Sequence, residues 1–319
     1  MRAGAIGAGG DLVRQAMPLA TLIGLVILVG LITPEFLTAQ TLLVLASDTA
    51  TLFVMAVGVT FVIMVGGIDL SIQSVASLAS VVVALCLPRF GYLGFVLAAL
   101  TGALAGVLSG LAHVKLRIPS FIATLAIGGI AAGTALIISD AQAITMGAAE
   151  RAYIGWITGT SLGLPHEVII GALVLAGGLF VQRYTAFGRY SQAIGAGEPA
   201  TYASGVRVDR HKIIACTLSG AFAGFAGVIL AGRLASGSPT LANELLLPAI
   251  AAVIVGGTAI TGGVGSVWRT LIGALIISVV RIGMTFIGVD IFAQQIVFGI
   301  VLIMAVAVTI DRSKIPIVK

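Results

Sequence analysis

The sequence predicts an all-α, polytopic membrane protein with about ten transmembrane helices. Three observations carry that expectation. The composition is too apolar for water: 59% of the 319 residues are hydrophobic and 9% are charged, with a mean hydropathy of +1.17. A soluble domain carries roughly 25% charged residues. The apolar residues are gathered into runs, and a membrane-crossing helix needs about 20 of them. The basic residues alternate between the loops in the way membrane topology requires. The chain reads as a single transmembrane domain, 1–319.

The elements follow in order. Residues 1–16 carry Arg2 and Arg14 but lead into an apolar run with no clean cleavage site, so 17–33 is an uncleaved first span. Thr33-Pro34 closes it. The second run, 41–65, stops at Gly66-Gly67, and the third, 69–87, stops before Pro88. The fourth is 92–112, and Pro119 opens the fifth, 119–139. A polar and aromatic loop, 140–166, contains Tyr153, Trp156 and Pro165. The sixth span, 167–182, enters the longest polar stretch, 183–212, which carries five basic residues. The remaining runs are 213–231, 245–264, 268–288 and 291–310. Spans three and eight contain or abut glycine pairs. The 42 glycines suit close helix packing in lipid.

Orientation comes from Lys and Arg in the loops. With both termini cytoplasmic, the inner side receives Arg2, Arg14, Lys115, Arg117, Arg183, Arg189, Arg207, Arg210, Lys212, Arg269, Arg312, Lys314 and Lys319. The outer side receives Arg89, Arg151 and Arg233, while Arg281 lies inside a span. An error of one span before residue 183 would destroy this asymmetry. The expected location is the bacterial inner membrane, in contact with lipid. The net charge of +5 sits in these short loops and does not indicate a nucleic-acid partner.

Several activities find no support. No Gly-x-x-x-x-Gly-Lys-Ser/Thr loop is present to wrap a nucleotide's phosphates. The glycine-rich start lacks the lysine. No Ser-His-Asp or paired-carboxylate arrangement appears, so no catalytic residue is assigned and the chain is not expected to be an enzyme. Cys86 and Cys216 lie in apolar segments, and His113, His166 and His211 fall in expected loops without metal-ligand spacing, so no metal is expected.

The inner loop has local order. Glu198-Pro199 can open a helix, because proline suits the first helical turn and a carboxylate there complements the dipole. Ala200, Thr201, Tyr202, Ala203 and Ser204 follow, and Gly205 is a natural stop. A short capped helix is what a partner protein can grip in a cleft. GRYSQAIGAGEPATYASGV in this loop resembles the coupling-loop region of ribose-type sugar ABC permeases. GGIDLSIQSVASLAS (66–80), IPSFIATLAIGGI (118–130) and AIAAVIVGGTAITGGVGSVWRTLIGALII (249–277) are similar to further stretches of that family. The resemblance covers roughly residues 40–310. The chain departs from it at Ser120, Gly197 and Arg281.

The resemblance implies a pathway built by two permease copies, or by one copy and a paralogue. It implies cytoplasmic ATP-binding subunits, often a tandem two-domain polypeptide, that hold ATP and magnesium and grip Glu198–Gly205. It implies a periplasmic solute-binding protein, and no cofactor in this chain. Spans two to five and seven to ten are candidates for an inverted repeat, with Val65-Gly66-Gly67 and Val255-Gly256-Gly257 as its trace. The competing class is an ion-coupled secondary transporter of a small polar solute, which usually keeps ionisable groups deep in the membrane.

Candidate pathway residues are Asp48, Asp69, Phe121, Thr124, Arg281 and Gln294. Asp69 is suited to cap the third span. Thr124, Thr258 and Thr261 can bond back to their own helices. Gln294 and Gln295 open the tenth span near the outer surface, where water can reach them. Asp48 and Arg281 each lie seven residues from an outer span end, roughly 10 Å deep on the same side. They can line the outer half of a pathway, form a structural pair, or find separate partners. The solute remains open among pentoses, hexoses and polyols.

Overall fold

The computed structural model describes residues 5–309, with side chains from 17 to 307. Arg2, Arg312, Lys314, Lys319 and the side chain of Arg14, which weigh in the expected orientation, lie outside the described residues. The helices are α1 (Ala5–Ile32), α2 (Ala39–Met64), α3 (Ile72–Phe90), α4 (Leu93–Lys115) and α5 (Ser120–Ile138). Single turns α6 (Ala148–Arg151) and α7 (Gly155–Thr158) sit in the long loop. Then come α8 (His166–Tyr184), α9 (Ala186–Ala196), α10 (Glu198–Ala203), α11 (Val208–Leu234), α12 (Leu246–Val255), α13 (Val267–Phe286) and α14 (Ile291–Thr309). The protein is an all-α polytopic membrane protein. Among the described residues seven helices are long and apolar enough to cross a bilayer, namely α2, α3, α4, α5, α8, α11 and α13. Shorter apolar helices, Met17–Ile32, Asn243–Val255 and Ile291–Ala307, stand where the first, eighth and tenth spans were expected.

The eighth run is therefore a correction. It is not a span over 245–264 but a ten-residue helix, Leu246–Val255, followed by non-helical chain to Ser266. Ten residues rise about 15 Å, half the hydrocarbon thickness. The run is apolar enough to cross, but Gly257, Gly262 and Gly263 take φ of +94°, +87° and +79° and turn the chain back. Thr258 and Thr261 thus lie outside any helix, and the Thr258 hydroxyl is buried without a partner. The histidines are also corrected: His113, His166 and His211 are helical, in α4, α8 and α11. The third span starts later than expected, at Ile72, because residues 67–70 run outside any helix before it.

Helix α11 is the axis of the bundle. It packs along α4, α3 and α2. Gly102, Gly106 and Gly110 of α4 face residues 213–224 of α11 so closely that a Cβ on Gly106 would overlap the Cys216 carbonyl oxygen. A Cβ on Gly220 would overlap the Gly102 oxygen, and one on Gly227 the Ala76 oxygen of α3. Small residues let backbones approach in lipid, where no hydrophobic force separates protein from solvent.

The packing repeats across the α2–α11 contact. Helix α3 packs on α4 and α5, as α12 packs on α13 and α14; α11 lies along α3 and α4, as α2 lies along α12 and α13. This is the pairing an inverted repeat of spans two to five and seven to ten produces. Its register is not the one the Val-Gly-Gly pairs suggest. In this pairing the break after α2 corresponds to the crossover 235–245 after α11, not to the break after α12. The crossover is held by α3: Ser80 Oγ accepts from the Ser238 amide at 3.1 Å and Ser77 Oγ from the Ala242 amide at 3.0 Å.

Replacing Gly220 by alanine should destabilise the detergent-solubilised protein by about 1–3 kcal/mol through overpacking. Gly133→Ala on α5, whose added Cβ meets nothing within 4 Å, should be neutral or stabilising by about 0.5–1 kcal/mol. Thermal melts followed by size-exclusion fluorescence check the contrast; equal melting temperatures would show that the α4–α11 seam tolerates a methyl group.

Candidate functional site

The residues singled out from the sequence fall at two opposite ends of the bundle. At one end α8 turns into α9, an amphipathic helix that the sequence reading did not mark, and α9 leads into α10. Gly197 precedes α10 with extended backbone, Pro199 stands in its first turn, and Gly205 at φ +82° ends it. The Thr201 hydroxyl lies 2.8 and 2.9 Å from the carbonyl oxygens of Ala193 and Gly197, its proton shared between them, which fastens α10 to α9. Lys212 Nζ of α11 pairs with Glu198 at 2.7 Å. Thr201 is buried, whereas Pro199, Ala200, Ala203, Ser204 and Gly205 are exposed. Tyr202 is 71% exposed, a large amphipathic ring presented by a rigid helix.

The same end holds the break between α2 and α3. Asp69 does not open α3 itself; its Oδ1 accepts from the Ser71 amide at 2.8 Å and the Ser71 hydroxyl at 2.6 Å, just before the helix. Its Oδ2 is buried without a partner. Ser120 Oγ accepts from the Ile68 amide, and Thr124 Oγ1 accepts from the Leu70 amide, both at 3.0 Å. Thr124 does lie 3.3 Å from the Phe121 oxygen of its own helix, as a back-bonding threonine would, but its main work is to satisfy this break. Phe121 is 46% exposed on the outside of the bundle.

At the opposite end Asp48 of α2 and Arg281 of α13 meet as an ion pair, Nη2 to Oδ2. Arg233, at the last turn of α11, reaches the other Asp48 oxygen at 3.3 Å, and its Nε stands 3.9 Å from Glu167 of α8. Four helices are thus joined by two acids and two arginines whose formal charges cancel. Above Arg281 opens a cleft of about 420 Å³ whose wall includes Thr240, Asn243 and Glu244. Below it a void of about 30 Å³, with room for a water, is lined by Asp48, Thr51, Arg233 and Arg281. The charges stay partly hydrated, with side-chain exposures of 19–26% for Asp48, Arg281 and Arg233.

Gln294 is not hydrated as expected. It is buried, and its Nε2 donates to Thr285 Oγ1 at 3.2 Å and the Val289 oxygen at 3.3 Å, closing the α13–α14 turn. Gln295 instead reaches the Glu244 oxygen at 3.2 Å. The structure therefore gathers Asp48 and Arg281 at one cleft and leaves Phe121, Thr124, Asp69 and Gln294 away from it. Arg233 and Glu167 were read as loop charges. The signal for Glu167 was its place as the first residue of the sixth span. Arg233 stood two residues past the expected end of the seventh, and α11 continues to Leu234.

Asp48→Ala should cost about 3 kcal/mol of stability, because it leaves two arginines facing each other. Arg233→Ala should cost less, since Arg281 keeps its partner. Exchanging the charges, Asp48→Arg with Arg281→Asp, should recover only part of the loss, since the new arginine on α2 faces Arg233. Melting temperatures of the four variants check this ordering.

Comparison with known proteins bears on this geometry. The family described as "Branched-chain amino acid transport system / permease component" matches residues 41–306. The chain is 36% identical over 304 residues to the ribose import permease protein of Haemophilus influenzae, covering 93% of each chain. It is 37% identical over 300 residues to the ribose import permease protein of Escherichia coli strain K12, again 93% of each. It is 31% identical over 333 residues to the xylose transport system permease protein of the same strain, 85% of each. The glycine-broken bundle described above is thus matched along nearly its whole length, and the chain belongs to this permease-component family, among the ribose-type ABC transporter permeases.

Proposed function

We propose that the chain is the membrane-spanning subunit of an ATP-driven importer for a small sugar or sugar-like solute such as a pentose, hexose or polyol. The observation that carries this reading is the likeness to ribose import permeases over 93% of the chain. The xylose permease, at lower identity, keeps the solute class wider than ribose. The geometry supplies the working parts. Helix α10 is a rigid, exposed knob of the kind a partner cleft grips. Two such knobs, from two permease copies or a copy and a paralogue, would dock on an ATP-binding subunit of one or two domains, which holds ATP and magnesium and performs the hydrolysis. The chain itself performs no catalysis in this reading. The end bearing α10 is cytoplasmic, as are both termini, following the excess of Lys and Arg in the loops at that end.

The opposite end receives solute from a periplasmic binding protein. There the cleft above Arg281 offers hydroxyl, amide, carboxylate and guanidinium groups to a polyhydroxylated molecule. Asp48 and Arg281, with Arg233 and Glu167, form the floor. A closed set of ion pairs holds no spare charge, so a neutral solute can pass without leaving an unpaired ion in a low-dielectric site. Loose contacts in the permease suit a system in which the binding protein supplies selectivity.

Reconstitution into liposomes with the ATP-binding subunit and the binding protein tests the reading. Uptake of labelled ribose or xylose should require ATP. Uptake driven by a proton or sodium gradient without the ATP-binding subunit would replace it with the ion-coupled class. In the same system Gly205→Val, which puts a β-branched residue at φ +82°, should lower uptake and solute-stimulated ATP hydrolysis by about tenfold. Wild-type uptake and hydrolysis in that variant would remove α10 from the docking role.

A further inference from the structure

Three interruptions of helical structure meet at one point beneath α10. Helix α2 ends at Met64 and the chain turns through Gly66 at φ +81°. The segment that follows α12 turns back through Gly262 and Gly263. The last turn of α9 brings Gly195 against both. The Gly263 amide donates to the Met64 carbonyl oxygen at 3.0 Å. A Cβ on Gly262 would stand 2.9 Å from Gly66 Cα and 3.0 Å from Gly195 Cα, and one on Gly263 would stand 2.7 Å from the Ala196 amide nitrogen. A Cβ on Gly195 would overlap the Met64 oxygen and the Gly263 nitrogen together. Three main chains therefore touch with no side chain between them. Rotamer changes cannot absorb a displacement at such a contact, because close-packed matter transmits strain.

What the contact joins gives it a role. On one side, α10 begins two residues after Ala196 and is tied to α9 through Thr201. On the other, the segment 256–266 runs directly into α13, and it is fastened to α8 by Gln182, which accepts from the Val267 amide at 2.9 Å and donates to the Gly265 oxygen at 2.8 Å. Helices α2 and α13 are joined midway by the hydroxyls of Thr60 and Thr270, 2.8 Å apart. These are the two helices whose far ends carry Asp48 and Arg281. We infer that Gly195, seated on Met64 and Gly263, is the positioning residue through which movement of α10 passes to the inner ends of α2 and α13. The inference rests on the reading that α10 docks an ATP-binding subunit.

The test uses the complete transporter in liposomes, with binding protein, and measures solute taken up per ATP hydrolysed. The wild-type complex is examined first. If it fails to assemble or to import, the docking reading itself is overturned, before any variant is made. With that established, Gly195→Ala should lower the ratio of uptake to hydrolysis at least about fivefold, with the ATP-binding subunit still co-purifying. Gly133→Ala is the control and should leave the ratio unchanged. An unchanged ratio in Gly195→Ala overturns the inference, including the case in which uptake and hydrolysis fall in proportion. If Gly195→Ala does not assemble, hydrogen–deuterium exchange on the wild-type complex decides. Protection of the amides in 262–266 should differ between the nucleotide-free and vanadate-trapped complexes together with that of α9, and identical protection in the two states overturns the inference.

Discussion

The structure depends on backbone-to-backbone contact along α11. In lipid, apolar side chains gain nothing by leaving the solvent, so helices associate through packing and a few polar bonds. Gly220 and Gly227 bring α11 against the main chains of α4 and α3, and Gly58 of α2 faces Ser219 from the other side. The buried polar residue Ser219 and the buried Cys216 sit within this seam. With α11 fixed, α2 and α3 are held in register, and so are the breaks that follow α2 and α12. A larger side chain anywhere along the seam would separate helices that carry both ends of the candidate pathway.

The breaks obey a second constraint. Non-helical backbone at membrane depth is tolerated only where its polar groups are satisfied inside the protein. The two breaks meet it differently. The segment 66–71 is satisfied by side chains of α5, through Ser120 and Thr124, and by Asp69. The segment 256–266 is satisfied by its own turns, such as the Ala259 amide to the Val264 oxygen, by the Met64 oxygen and by the amide of Gln182. Each break is thus tied to a neighbouring helix, and the two are tied to each other at Met64 and Gly263.

The ion pairs at the opposite end follow the same economy. A lone Arg281 at that depth would be costly, and its helix runs so that its side chain leans toward the membrane centre. Asp48 compensates it, Arg233 shares Asp48, and Glu167 shares Arg233. The cluster links α2, α8, α11 and α13 through charges that retain some water. A buried ionic network is poor evidence of stability but a good means of fixing register between elements.

By itself the sequence determined what the solvent of this protein is and where its chain crosses or nears the membrane. Composition and run length are local properties, and bilayer thickness converts them directly into helices. Local rules also reached the short helix Glu198–Ala203, because Glu198, Pro199 and Gly205 act within one or two turns. The depth of Asp48 and Arg281 was legible for the same reason, since rise per residue is fixed. Tertiary structure decided the rest. Hydropathy could not show that 245–264 turns back at Gly257, because a glycine in an apolar run is as compatible with close packing as with reversal. It could not show that Arg233 and Glu167 complete the ion cluster, nor that Gln294 faces a turn rather than water. Those outcomes depend on which residues of distant helices arrive beside them, and that arrival is set by glycine contacts along α11 whose partners lie a hundred or more residues away in the chain.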